Sequence, residues 1–80
     1  MNLEQLRTLI AIVEQGSLSA AARAKRISQP AVTKQVQRME AEMGLALLVR
    51  GPKRQADLTP AGERVLAFAR ETLTSYEALE

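Results

Sequence analysis

Ser28-Gln29-Pro30-Ala31-Val32-Thr33-Lys34 decides the fold of this chain, because it marks where a helix begins and which way that helix faces. Ser28 can cap the helix by accepting a hydrogen bond from a free backbone N–H, and Pro30 fits the first turn, where no donor is needed. We predict a helix over about 29–43 that ends at Gly44 and has one apolar and one polar face. The apolar residues at helical spacing are Val32, Val36, Met39 and Met43.

A shorter helix precedes this stretch. Ser17 or Ser19 can cap it, and the small side chains of Ala20–Ala22 permit a close crossing with a neighbouring helix. It should extend to about Lys25, which leaves only a few residues before the next helix. That length is typical of a helix-turn-helix, with Ile27 filling the angle between the helices. Similar pairs occur in bundles that bind no DNA, so the spacing alone does not decide the function.

Two further helices flank the pair. Asn2 and Gln5 predict a capping box at the start of a first helix that ends at Gly16. Thr59-Pro60 predicts the start of a long last helix that continues to Glu80. On that helix, a stripe with the spacing of a helix-pairing seam predicts contact with a second subunit, the alternative being that it folds back onto the first helix. The stripe consists of Leu66, Ala69, Leu73 and Tyr76.

A two-stranded wing is predicted between the last two helices. Residues 45–49 are short and apolar, Gly51-Pro52 is a turn signal, and residues 55–58 can return as the second strand. The basic tip, Lys53-Arg54, is either solvated surface or a contact to phosphates or the minor groove, and we favour the contact. Asp57 would repel phosphate, which argues against the returning strand lying on the DNA backbone.

Positive charge is concentrated in the middle of the chain. Residues 23–54 hold eight Lys or Arg and two Glu, a local charge of +6, whereas the whole chain carries +2. Such clustering is expected of a phosphate-binding surface, although a solvated charged surface produces it as well. The two aromatic residues, Phe68 and Tyr76, are too few to stack on single-stranded bases, so a duplex is favoured.

The composition argues against several other classes of protein. The 80 residues contain no cysteine and no histidine, which removes the ligands of nearly every zinc site, and we expect no cofactor or metal in this chain. A glycine-rich phosphate loop and an obvious catalytic constellation are also missing, so we expect no enzyme. The apolar runs are too short to span a bilayer and no leader is evident, so we expect no membrane partner and a cytoplasmic, nucleoid-associated location.

Several short motifs occur in a specific order: Ala21-Ala22, Ser28 to Thr33, Met39-Glu40 with Met43-Gly44, Leu47-Leu48 with Arg50, and Leu58-Thr59 with Ala61-Gly62. Through them the chain resembles the N-terminal winged helix-turn-helix and linker helix of LysR-type transcriptional regulators, over essentially all of its length. The resemblance implies a homodimer held by linker helices and sequence-specific binding to double-stranded operator DNA, with dimer and tetramer both left open for the full-length protein. It also implies a C-terminal domain, absent from this chain, that binds a small-molecule inducer.

The resemblance also implies which residues meet DNA. Those expected in the major groove are Gln29, Pro30, Ala31, Thr33 and Lys34, and those expected at phosphates or the minor groove are Arg50, Lys53 and Arg54. Gln37 and Arg38 lie on the polar face of the helix predicted over about 29–43, here called the recognition helix, and are also candidate DNA contacts. A glutamine amide can pair with adenine, and a lysine can contact guanine or a phosphate. Lys25 stands where the family usually has leucine, so we predict that its stem packs while its head reaches solvent or a phosphate.

These observations predict a mainly α fold with three helices and a two-stranded wing, followed by a long dimerisation helix. The winged helix-turn-helix covers residues 1–59, with the helix-turn-helix at about 18–37 and the wing at about 45–58, and the linker helix covers residues 60–80. The predicted function is duplex DNA binding as part of a LysR-type regulator. The alternative is a helical dimerisation or adaptor domain whose working surface is the last helix and which has no need of the basic residues.

Overall fold

A computed structural model describes residues 1–49 and 56–80 and builds them into helices at the predicted places. The helices are α1 (Leu3–Gln15), α2 (Leu18–Lys25), α3 (Gln29–Met43) and α4 (Pro60–Ala78). The predicted bounds of α3 are confirmed to the residue, whereas α4 ends two residues before Glu80. The predicted helical part of the fold class is therefore confirmed.

Side-chain caps explain where these helices begin. The N-cap residues are Asn2, Ser17, Ser28 and Thr59, in chain order. Asn2 Oδ1 accepts from the amide of Gln5 at 2.8 Å and Gln5 Oε1 accepts from the amide of Asn2 at 3.1 Å, so the predicted capping box is confirmed. Ser17 rather than Ser19 caps α2, which leaves the Ser19 hydroxyl for another partner.

The core lies around α1, which packs against each of the other three helices. On one side it meets α4, and on the other it meets the α2–α3 pair. Ala21 and Ala22 are buried at the crossing with α3, as their small size predicts. Ile27 is 36% exposed, so the prediction that it fills the angle between α2 and α3 is wrong.

The chain after α3 returns without forming long strands in the part that the structure describes. Leu48 and Leu58 form one antiparallel bridge, beside which the amide of Val49 donates to the carbonyl of Asp57 at 2.9 Å. Within the described residues 45–49 and 56–58, the predicted strands over 45–49 and 55–58 are therefore reduced to this bridge. One reason is that the amide of Leu47 donates to the Glu40 carboxylate, at 2.8 Å, instead of to a facing strand. The turn predicted at residues 51–52 lies outside the described residues.

The first turn of α4 is fastened to this returning segment. The Thr59 hydroxyl donates to the carbonyl of Ala46 at 2.6 Å, and the Thr59 amide donates to the carbonyl of Leu47 at 3.0 Å. Gly62 lies so close that a Cβ added to it would be 2.2 Å from the Leu47 carbonyl oxygen. Only a glycine permits this approach.

Lys25 connects the end of α2 to the start of α1. Its side chain is 16% exposed, so the stem is packed as predicted, but its Nζ lies 2.7 Å from Glu4 Oε2. The sequence did not predict this partner, whose side chain is 52% exposed, so the ion pair lies at the surface. Within residues 1–49 and 56–80, no helix is both long enough and apolar enough to cross a membrane.

Candidate nucleic-acid interface

The face of α3 that points away from the core carries the predicted DNA-contacting residues of that helix. Gln29, Pro30, Lys34, Gln37 and Arg38 are exposed, and Ala31 and Thr33 are half-buried. The opposite face is buried in the core through Val32, Val36 and Met39. A shallow surface depression gathers Gln29, Pro30, Thr33, Lys34 and Gln37, whereas Ala31 and Arg38 do not line it. The helical periodicity thus brings five of the seven predicted residues on α3 together.

The N-terminus of α3 is accessible and electrostatically positive. Ser28 Oγ accepts from the amide of Ala31 at 3.1 Å, and residues 26–30 are all exposed. The first turn holds no acidic residue that would offset the positive end of the helix dipole. The positive end of the helix dipole favours a nearby anionic group such as a phosphate.

Four exposed basic residues lie on α2, on the turn that follows it and on α3. They are Arg23, Arg26, Lys34 and Arg38, all exposed. Among the described residues none of the four forms an ion pair, in contrast to Lys25, whose charge is paired with Glu4. The predictions omitted Arg23 and Arg26, although both lie in the basic stretch that the charge pattern singled out.

Ser19 is a further residue of this surface that the sequence patterns did not identify. Its hydroxyl donates to Gln29 Oε1 at 2.6 Å and so joins the first turn of α2 to the first residue of α3. The sequence offered Ser19 only as an alternative cap for α2. The available signal was that Ser17 already suffices as the cap, which leaves the second serine unused.

The wing contributes less to the described surface. Arg50, Lys53 and Arg54, predicted at phosphates or the minor groove, lie outside the described residues. Asp57 is described and exposed, and its carbonyl accepts from the amide of Val49. No group of three or more Asp or Glu in the described part of the chain is arranged to hold a metal ion.

The predicted dimer seam on α4 divides into two parts. Ala69 and Leu73 are buried in the core of this chain and Leu66 packs against the same cluster, which is the alternative in which the stripe folds onto α1. Tyr76, one turn further on, is 41% exposed, and every residue from 74 to 80 is exposed. Phe68, on the same helix, is 51% exposed. The large apolar side chains that stay exposed are therefore Phe68 and Tyr76 on α4 and Leu79 directly after it.

Comparison with known proteins gives matches along nearly the whole chain. The family model described as "bacterial regulatory helix-turn-helix protein, lysR family" matches residues 3–63. The SDS degradation transcriptional activation protein of Pseudomonas sp. is 44% identical over 78 residues, which are 98% of this chain and 25% of that protein. The chain spans about a quarter of the length of the curated relatives it matches.

Solved structures show the same architecture. The protein chain in the crystal structure of the CbnR_DBD–DNA complex is 40% identical to this chain, with a TM-score of 0.90. The match covers 98% of this chain and 88% of that chain. The BenM_DBD/catB site 1 DNA complex is 35% identical with a TM-score of 0.92, covering 99% of this chain and 84% of that one. Both similarities extend from the first helix through α4.

Proposed function

This chain belongs to the LysR family of bacterial regulatory helix-turn-helix proteins, and from that premise we propose that it binds double-stranded DNA in a sequence-specific manner. The observation that carries the proposal is the exposed face of α3, which presents amide, hydroxyl and ammonium groups beside a positive helix terminus. A major groove admits one α-helix, and these groups are the ones that contact base edges there.

The contacts divide by chemistry. Gln29 and Gln37 carry amides that can both donate to and accept from a base edge, and Pro30 and Ala31 offer apolar contact to a thymine methyl group. Lys34 contacts guanine or a phosphate. Arg38 and, on the wing, Arg50, Lys53 and Arg54 supply affinity through phosphates or the minor groove.

The regulator acts as a homodimer in this proposal. The core of the single chain ends at Leu73, and α4 continues past it with the exposed Tyr76, followed by the exposed Leu79 at its C-cap, which support pairing with a second copy. Each recognition helix then reads one half of an interrupted palindrome, about one helical turn from the other. The rest of the regulator adds an inducer-binding domain, and the whole works in the cytoplasm at the nucleoid.

A DNA titration tests the proposal. Fluorescence anisotropy is measured with the promoter duplex upstream of the gene and with a shuffled duplex, each at several salt concentrations. We expect tighter binding to the promoter and a steep loss of affinity with salt on both duplexes. Equal and negligible binding to both duplexes at low salt, at chain concentrations where the dimer forms, would instead favour the adaptor domain.

Two variants separate base contacts from phosphate contacts. Gln29→Ala should relax the preference at one base position by about 1–3 kcal/mol, because a bidentate amide contact discriminates between bases. Arg38→Gln should weaken binding to both duplexes alike and reduce the salt slope by about 1, because it removes a phosphate contact. Arg70→Gln, an exposed charge on α4, serves as the matched control and should change neither quantity by as much.

The dimer has its own test. Tyr76→Glu should shift sedimentation equilibrium toward the monomer and weaken binding to a two-half-site duplex, because it places a charge on the exposed seam. Thr74→Glu introduces the same charge on the other side of the helix and serves as the control. Equal effects of the two substitutions would show that the pairing surface lies elsewhere.

A further inference from the structure

The Ser19 hydroxyl and the Gln29 amide form a side-chain contact between α2 and α3 at the edge of the candidate interface. Ser19 Oγ donates to Gln29 Oε1 at 2.6 Å. The α2 cap does not need this hydroxyl, because Ser17 Oγ already accepts from the amide of Ala20 at 3.0 Å. Gln29 is exposed and is the first residue of α3. The hydrogen bond therefore acts on a side chain that nothing else described in the structure holds in place.

From this contact we infer that Ser19 is a positioning residue that determines base specificity through Gln29. The inference rests on the proposed DNA-binding function and deepens it. A glutamine side chain has three rotatable bonds and samples many conformations when it is exposed. Fixing one of them on binding costs conformational entropy and weakens association. A hydroxyl that holds the amide before DNA binds reduces this entropic cost.

The contact also fixes which end of the amide is free. An amide oxygen accepts and an amide nitrogen donates, so a serine proton on Oε1 turns Nε2 into the end that is available to a base. Purine N7 is an acceptor in the major groove, and Oε1 keeps a second lone pair for the adenine amino group. Ser19 thus orients Gln29 to read a purine, and adenine in particular, at one position of each half-site.

A selection experiment tests this role and requires no defined operator sequence. The chain and its Ser19→Ala variant are each used to select from a duplex library with a randomised core of about 20 base pairs, which spans two half-sites. We expect the variant to lose roughly 2- to 10-fold of the base preference at one symmetric pair of positions, as for a single hydrogen bond. Affinity for an unselected duplex and its salt dependence should stay unchanged, because the phosphate contacts remain.

Two further variants separate positioning from a structural effect. Ser19→Thr keeps the hydroxyl and should restore the preference, and a Thr variant that behaves like the Ala variant would overturn the inference. In a Gln29→Ala background, Ser19→Ala should have no additional effect on base preference. The thermal midpoint of Ser19→Ala should not fall, since alanine is a good helix former.

A measurement on the chain without DNA tests directly whether Ser19 restrains the side chain of Gln29. Side-chain amide ¹⁵N relaxation should show Gln29 more mobile in Ser19→Ala, with Gln37 on the same helix as the unchanged reference. If the wild-type chain selects a motif and Ser19→Ala selects the same motif with equal preference, the role of Ser19 is refuted while the proposed function stands. If the wild-type chain selects no motif, the proposed function fails and the inference fails with it.

Discussion

Replacing Gly62 with alanine tests how tightly the first turn of α4 is packed against the segment that follows α3. Gly62 lies in the first turn of α4, directly against the backbone of Leu47. An alanine Cβ at this position would lie 2.2 Å from the Leu47 carbonyl oxygen and 3.1 Å from Leu58 Cβ. The nearest obstacle is backbone, which cannot rotate away as a side-chain end can.

The geometry gives the size of the effect. Ordinary contact begins near 3.4 Å, so the Leu47 backbone must move by about 1 Å. That movement disturbs the hydrogen bond from the Thr59 amide to Leu47 and displaces a fully buried leucine. Overpacking of this kind costs about 1–3 kcal/mol and a lost hydrogen bond about 1 kcal/mol, against a helix-propensity gain of at most about 1 kcal/mol. We therefore expect a net loss of about 2 kcal/mol.

Urea and thermal denaturation followed by far-ultraviolet circular dichroism measure this loss. For a chain of this size, about 2 kcal/mol corresponds to a fall in Tm of about 8–16 °C. Ala67→Gly, at an exposed position of the same helix, calibrates the propensity effect and should cost about 1 kcal/mol. A Gly62→Ala chain that is as stable as the wild type, or more stable, would refute the reasoning, because the Leu47 backbone would then be free to move.

Three other substitutions test features of the core and the turns by the same denaturation measurements. Thr8→Val should cost about 1–3 kcal/mol, because the fully buried Thr8 hydroxyl contacts Gln35 Oε1, and Thr8→Val combined with Gln35→Met should recover part of the loss. Arg26→Gly should raise stability by up to about 1 kcal/mol, because Arg26 has a φ of 59°, and Arg26→Ala, which removes the same charge, should give no such gain. Glu40→Leu should cost about 1–3 kcal/mol by leaving the amide of Leu47 without its acceptor, whereas Glu40→Gln should cost less.

The helices could be predicted from the sequence because their ends are decided locally. The capping box of Asn2 and Gln5, the proline after Ser28 and the glycine after Met43 each act within one turn of the backbone. The wing could not be predicted to the same extent. The amide of Leu47 in its first segment donates to Glu40, seven residues earlier on α3, and residue patterns carry no signal for such a contact.

The candidate site was predictable in position but not in its internal contacts. Periodicity alone places Pro30, Lys34 and Gln37 on one face, because helical spacing fixes which residues lie together. The pairs Ser19 with Gln29 and Lys25 with Glu4 depend on how the helices cross, which spacing along the chain does not reveal. The same limit applies to Ala69 and Leu73, whose apolar spacing fits a seam with a partner as well as a core against α1.

The hydrogen bond from Thr59 to Ala46 and the close approach of Gly62 to Leu47 hold the first turn of α4 firmly against the segment after α3. A helix of this length measures about 28 Å, so it acts as a rigid lever that is fixed at one end. In the proposed dimer, tilting one α4 against the other by about 10° would displace the helices attached to its first turn by about 5 Å. This is more than the rise of one base pair. The distance between the two α3 helices then depends on the angle between the two α4 helices, because each α4 is attached directly to the segment after α3.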